Sequence, residues 1–164
     1  MGQWAGFGKG LLGEAFSFVK VFLFLQATND HVGGFVFAKG PSMLPTISPS
    51  GELLLMERIS VQLGKVRPGD IVVVQSPLVP KKRVAKRLIA MGGERVTYVV
   101  DPKNSDSLNT IVVPKGHVWV EGDNIHNSYD SRNFGAIPYG LLIGRVFWRV
   151  LPFKDFGSMG PHEK

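Results

Sequence analysis

The chain contains no cysteine. Disulfides and thiolate metal sites are therefore excluded, and the redox compartment stays open. Histidine is scarce, and His31, His117, His126 and His162 show no metal-ligand spacing such as His-Glu-x-x-His. Neither a metal nor another cofactor is expected. Acidic residues are outnumbered, 13 against 19 Lys and Arg, which leaves a net charge of +6. Such a surplus suits an anionic membrane surface or a nucleic acid. The basic runs Lys81-Lys82-Arg83 and Lys86-Arg87 are short and lack interleaved aromatics, so nucleic acid is the weaker of the two and is not expected as a partner. Internal repeats, heptads and low-complexity tracts are absent as well.

What remains is ordinary for a folded protein. At 164 residues, 44% hydrophobic and 20% charged, the chain suits one compact domain with a short appendage. The appendage is N-terminal. Residues 11–27, LLGEAFSFVKVFLFLQA, are rich in Phe, Leu and Val but carry Glu14 and Lys20. A span needs about 20 apolar residues with few charges, so this helix reads as a transmembrane anchor, an interfacial helix or a core-packing amphipathic helix. Residues 1–33 are assigned to that membrane-associated helix and its linker, 34–157 to a β domain and 158–164 to a C-terminal tail.

Beyond Asp30 the pattern becomes strand-like, with short Val, Ile and Leu runs separated by Gly, Pro and Asp. Strands are expected at 34–38, 53–57, 71–75, 83–90, 95–100, 110–113, 118–121 and 142–150. Arg67-Pro68-Gly69-Asp70 is a turn, since Pro presets φ and Gly accepts a positive one. The polar stretch from Asp101 to Asn109 is expected as an exposed loop. The fold class is therefore mostly β, with an N-terminal hydrophobic helix.

Three blocks are dense in potential chemistry. In Gly40-Pro41-Ser42-Met43-Leu44-Pro45-Thr46 the prolines forbid ordinary helix and present Ser42 on a turn. A plain turn serine bonded to its own backbone is the alternative. Met43 suits a cleft wall, a membrane contact or a core. In a strand over 83–90, Lys86 shares a face with Val84, Leu88 and Ala90, because side chains alternate. Desolvation there favours the neutral amine, the form able to take a proton from serine. The alternative is a lysine whose stem snorkels to water. In the third block, residues 122–132, Ser128 offers a hydroxyl to the amine and Asp123-Asn124 reads as turn chemistry. Asp130 and Arg132 form a local, exposed pair whose role is geometric, since exposed pairs contribute little energy. A Ser-His-Asp triad through His126 or His117 lacks a separate carboxylate signal.

Taken together, these blocks resemble the type I signal peptidase family over about residues 35–157. Gly-x-Ser-Met-x-Pro-Thr matches Gly40 to Thr46, and Arg-Pro-Gly-Asp with its valine-rich strand matches Arg67 to Val74. Lys-Arg-x-Ile matches Lys86 to Ile89, and Gly-Asp-Asn-x-x-x-Ser-x-Asp-Ser-Arg matches Gly122 to Arg132. The short chain, Gly116-His117-Val118-Trp119 and Ile137-Pro138-Tyr139-Gly140-Leu141 look most like the mitochondrial members.

The resemblance implies a serine endopeptidase with Ser42 as nucleophile and Lys86 as general base. It also implies Ser128 as the residue orienting the lysine, and Asp130 with Arg132 as the pair holding that loop. Some relatives place a second oxyanion donor, a serine hydroxyl, where Gly40 stands; Ala90 and Glu94 depart mildly from the family's local turn pattern. An extended presequence would add as a strand between the segment before Ser42 and the lysine strand. Val36, Ala38, Gly40, Met43 and Val84 would then line its pockets, or Val36, Ala38 and Val84 would simply belong to the core. The implied partners are presequence-bearing substrates, membrane lipid and a second, related protease subunit in a heterodimer. The implied location is the mitochondrial inner membrane, with the catalytic domain facing the intermembrane space. A signal peptidase of a plasma or thylakoid membrane, or a non-catalytic partner subunit, is the alternative.

Overall fold

The computed structural model describes residues 14, 16–24, 26, 28, 32–101 and 104–160. Among the described residues ten strands carry the fold: β1 (Gly33–Ala38), β2 (Glu52–Glu57), β3 (Ile71–Gln75), β4 (Arg83–Met91), β5 (Arg95–Asp101), β6 (Asn104–Val112), β7 (His117–Glu121), β8 (Ile137–Pro138), β9 (Leu142–Leu151) and β10 (Gly157–Ser158). One sheet runs in the order β1-β2-β9-β3-β4-β7-β8, with β10 on β9, and β5 and β6 form a separate hairpin. All pairings are antiparallel.

The expected strands are present within a residue or two at their ends, with one correction. The polar stretch read as an exposed loop is largely strand, because Asn104–Val112 pairs with β5 from Arg95↔Val112 to Asp101↔Asn104. Thr97 and Thr110 face each other with hydroxyls 2.8 Å apart, and Asn109 donates to the Tyr98 hydroxyl at 3.2 Å. Cross-strand polar pairs of this kind support a solvated hairpin whose sequence lacks apolar alternation.

The apolar interior has three parts. Val72, Val74, Leu88, Val118, Val120, Ile137 and Leu142 pack together on one side, and Met43, Ile47, Leu54, Met56, Ile71, Val73 and Val146 on the other. Adjacent β3 residues thus serve opposite faces, which is why Ile71 to Val74 are all buried and read as a continuous valine run. A third cluster, Ala90, Val96, Val113 and Trp119, ties the β5–β6 hairpin to the sheet. Gly144 lets β9 pass β2 closely, since a Cβ there would lie 2.7 Å from the Glu57 carbonyl oxygen.

The N-terminal helical residues at 16–24 project Phe16, Phe18, Val19, Val21, Phe22, Leu23 and Phe24 into the exterior. No helix among the described residues is long and apolar enough to cross a membrane. At the other end, β10 pairs with β9 and the Met159 N–H donates to the Phe147 carbonyl at 2.9 Å.

Leu54 is fully buried beneath the turn that carries Ser42. Leu54→Ala should lower unfolding free energy by about 2–5 kcal/mol through lost burial and the cavity left behind, read by chemical denaturation.

Candidate functional site

The serine turn follows from local sequence. Gly40 adopts φ 118, a conformation that disfavours a side chain, and Pro41 opens a single 3-10 turn, Pro41–Met43. The Gly40 N–H is committed to the Pro49 carbonyl at 3.3 Å. The first N–H groups of such a turn have no acceptor within it, so that of Ser42 can serve a ligand. Met43 is buried and roots the turn in the core, with Ile47 beside it.

Lys86 comes from β4, whose neighbour β3 pairs along Ile71↔Arg87 to Gln75↔Arg83. Its side chain is 3% exposed, and its Nζ donates to Ser128 Oγ at 2.6 Å. Burial drives its pKa below the ordinary lysine value. The Asp130 carboxylate opposes that shift, Arg132 and Lys82 reinforce it, and Asp123 opposes it. The snorkelling alternative does not hold here. Arg87 points to the opposite face, yet it too is buried because its guanidinium is fully engaged. It donates to Asp123 Oδ1 at 2.7 Å and Oδ2 at 2.6 Å, to the Gly69 carbonyl at 2.7 Å and to Thr46 Oγ1 at 3.2 Å.

The third block folds around Asp130. This residue is wholly buried and caps the short helix Ser131–Phe134 in a reciprocal capping box with Asn133. Its Oδ2 accepts the Gly122 N–H at 2.7 Å and Arg132 Nη2 at 2.6 Å, while Oδ1 accepts Arg132 Nε at 2.9 Å. Burial works to raise the Asp130 pKa, but hydrogen bonds from Arg132, Gly122 and Ser128 outweigh it and hold the carboxyl below the usual range. The exposed, energetically slight pair expected here is instead buried. Removing one partner of such a pair typically costs about 3–5 kcal/mol.

Gly122 joins the blocks. A Cβ at this position would collide with the Ser128 hydroxyl oxygen and the Ser42 carbonyl oxygen, so both atoms crowd against one backbone position. Asn124 completes the contact, its N–H donating to the Ser42 carbonyl and its amide to the Pro41 carbonyl, each at 3.1 Å. Ser42, Lys86, Ser128, Asp130 and Arg132, far apart in the chain, are thus brought to one locus.

A cleft of about 420 Å³ opens beside Ser42. Its lining includes Val36, Ala38, Gly40, Met43 and Val84. Val36 and Ala38 also pack against one core cluster and Val84 against another, as the core alternative expects. One rim is β1, the end strand of the sheet. The other is the start of β4, Arg83 to Ala85, where pairing with β7 has not yet begun; Lys86 follows and lines a neighbouring pocket with Tyr129 and Phe134.

Sequence reasoning missed Thr46, Asp123 and Asn124 as parts of this site and left Arg87 without a role. The available signal was adjacency: each lies within four residues of Ser42, Lys86 or Gly122 inside the same blocks.

Comparison with known proteins gives a consistent answer. The family model for signal peptidase, peptidase S26, matches residues 14–104 and 100–151. The chain is 55% identical over 142 residues to the mitochondrial ATP-independent inner membrane protease subunit 1b of Arabidopsis thaliana, covering 87% of this chain and 84% of that one. It is 39% identical to the human mitochondrial inner membrane protease subunit 1, covering 92% of each. It is also 36% identical to subunit 2 of the Mus musculus enzyme, covering 82% and 78%. By family match and by similarity along most of its length, the chain belongs to the signal peptidase family, peptidase S26, and is a serine endopeptidase of that type.

Proposed function

We propose that this protein removes presequences or sorting signals from proteins delivered to the mitochondrial inner membrane or intermembrane space, using Ser42 and Lys86 as a catalytic dyad. The observation that carries the dyad is the buried Lys86 amine, 2.6 Å from Ser128 Oγ and gathered with the Ser42 turn around Gly122. The names of the mitochondrial relatives support the location.

The chemistry follows from the proton. Neutral Lys86 takes the proton as Ser42 Oγ attacks the scissile carbonyl, then passes it to the leaving amine, and activates water to hydrolyse the acyl-enzyme. Ser128 orients the amine, and Asp130 with Arg132 holds the Ser128 loop. The Ser42 N–H faces the developing oxyanion, a contribution of about 3 kcal/mol. Bound as an added strand between the free edges of β1 and β4, the presequence would meet Val36, Ala38, Gly40, Met43 and Val84 with its side chains.

The outer face suits lipid. Phe35 lies level with Leu55 and Trp148, and Phe37 with Leu53 and Leu151; Phe156 stacks edge-on against Trp148 at 5.5 Å. With Phe153 79% exposed, this aromatic face and the exposed phenylalanines of the N-terminal helix would enter a membrane surface, which the net charge of +6 favours when it is anionic. The N-terminal segment would anchor the β domain there, with that domain facing the intermembrane space. The similarity to proteins named subunit 1 and subunit 2 supports pairing with a related second subunit.

Ser42→Ala and Lys86→Met should each abolish cleavage of a presequence peptide while circular dichroism stays native; retained cleavage in either removes the dyad. The acid limb of kcat/KM should lie well below the ordinary lysine pKa, since only the neutral amine accepts a proton. Asp130→Asn removes a charge that raises the Lys86 pKa, so its residual activity should show that limb at lower pH. Gly122→Ala should cost about 100-fold in kcat by displacing Ser128 and the Ser42 turn, measured on the same peptide. Phe153→Ser with Phe156→Ser should weaken co-sedimentation with anionic vesicles; unchanged co-sedimentation would discard the aromatic face as a membrane contact.

A further inference from the structure

The loop that follows the serine turn is tied down by an ion pair to which the proposed chemistry assigns nothing. Glu52, at the start of β2, is 2% exposed, and Arg149, near the end of β9, meets it at 2.6 Å between Nε and Oε2. Neither residue lines the cleft. Both reach instead into residues 46–48. Glu52 Oε1 accepts the Ser48 N–H at 2.7 Å, and Arg149 Nη2 donates to the Thr46 carbonyl.

Thr46 is held from its other side as well. Its hydroxyl donates to Asp123 Oδ2 at 2.5 Å and accepts from Arg87 Nη2 at 3.2 Å. Arg87 and Asp123 are the chain neighbours of Lys86 and Gly122. One ion pair therefore connects Thr46 to the strand and loop that carry the base and its orienting serine. The other connects the Thr46 carbonyl to β2 and β9 in the body of the sheet. The Ser42 turn, four residues upstream, hangs between the two.

We propose that Glu52 and Arg149 are positioning residues for catalysis, fixing the Ser42 turn against the Lys86 strand through the Thr46 carbonyl and the Ser48 N–H. Glu52 and Arg149 are in ionic contact and each is hydrogen-bonded to the backbone of the same loop, so together they hold that loop at two points and transmit position to it. Misplacing a nucleophile by about 1 Å can lower a rate by about 100-fold, and the binding groove need not change. The inference rests on the Ser42–Lys86 reading above.

The test is steady-state kinetics of the full-length protein in detergent on a presequence peptide, with thermal melting alongside. Glu52→Gln and Arg149→Gln should lower kcat tenfold or more, leave KM within twofold, and leave the acid limb of the pH profile in place. Arg149→Lys keeps the charge, but one ammonium cannot span carboxylate and carbonyl as the guanidinium fork does. It should melt near the wild type and still lose most of the kcat, so it decides the matter if the glutamine variants fail to fold. A folded variant with kcat within twofold of wild type would overturn the proposal. So would a loss in which KM rises in step and the acid limb moves, which is the signature of a generally damaged cleft. Ser42→Ala in the same assay separates the readings: cleavage surviving there removes the dyad, and the positioning role with it.

Discussion

A primary amine withdrawn from water governs this site. Leaving Lys86 charged and buried would be expensive, so its surroundings press it toward neutrality while two carboxylates, Asp130 foremost and then Asp123, limit how far. That balance needs Asp130 to remain an anion in the interior, and it does so because Arg132, the Gly122 N–H and Ser128 hydrogen-bond to its carboxylate. Remove any of these and the amine, the hydroxyl beside it or the loop beneath it changes state. The third block is thus less a set of separate functional residues than a device for keeping one lysine both dry and correctly placed.

The sheet supplies the complementary half. Because its order runs from β1 to β8 through β9, β3 and β4, the strand before the serine and the strand bearing the lysine lie four positions apart. Curling brings their edges to opposite sides of one cleft. A cleft bordered by two strand edges therefore arises where the sheet fails to close, with the Ser42 turn at its side. Packing and function share the same residues here: Met43 and Ile47 are both core and cleft floor, so the turn carrying Ser42 is anchored by hydrophobic burial.

Much of this was legible in the chain. The alternation around Lys86 placed its amine among Val84 and Leu88, and the prolines around Ser42 indicated a constrained turn. Strand positions followed from runs such as Ile71 to Val74. Other features were hidden for physical reasons. The β6 strand is polar because its hairpin is exposed, so periodicity had nothing to register. The depth of Asp130 was invisible because burial depends on what the rest of the sheet places over a loop. Arg87 and Asp123 pair across 36 positions of chain, and Thr46 joins them from a third segment. Long-range polar ties of that kind leave no local pattern, even though each partner sits beside a residue that was recognised.

The unpaired margin of β1 has a further consequence. A strand with open backbone groups, flanked by Phe35 and Phe37, is a template for any extended chain, another copy of this protein included. On the function proposed above, acceptance of an extended client and pairing between copies would draw on one and the same border, and amphiphiles that mask it would compete with both.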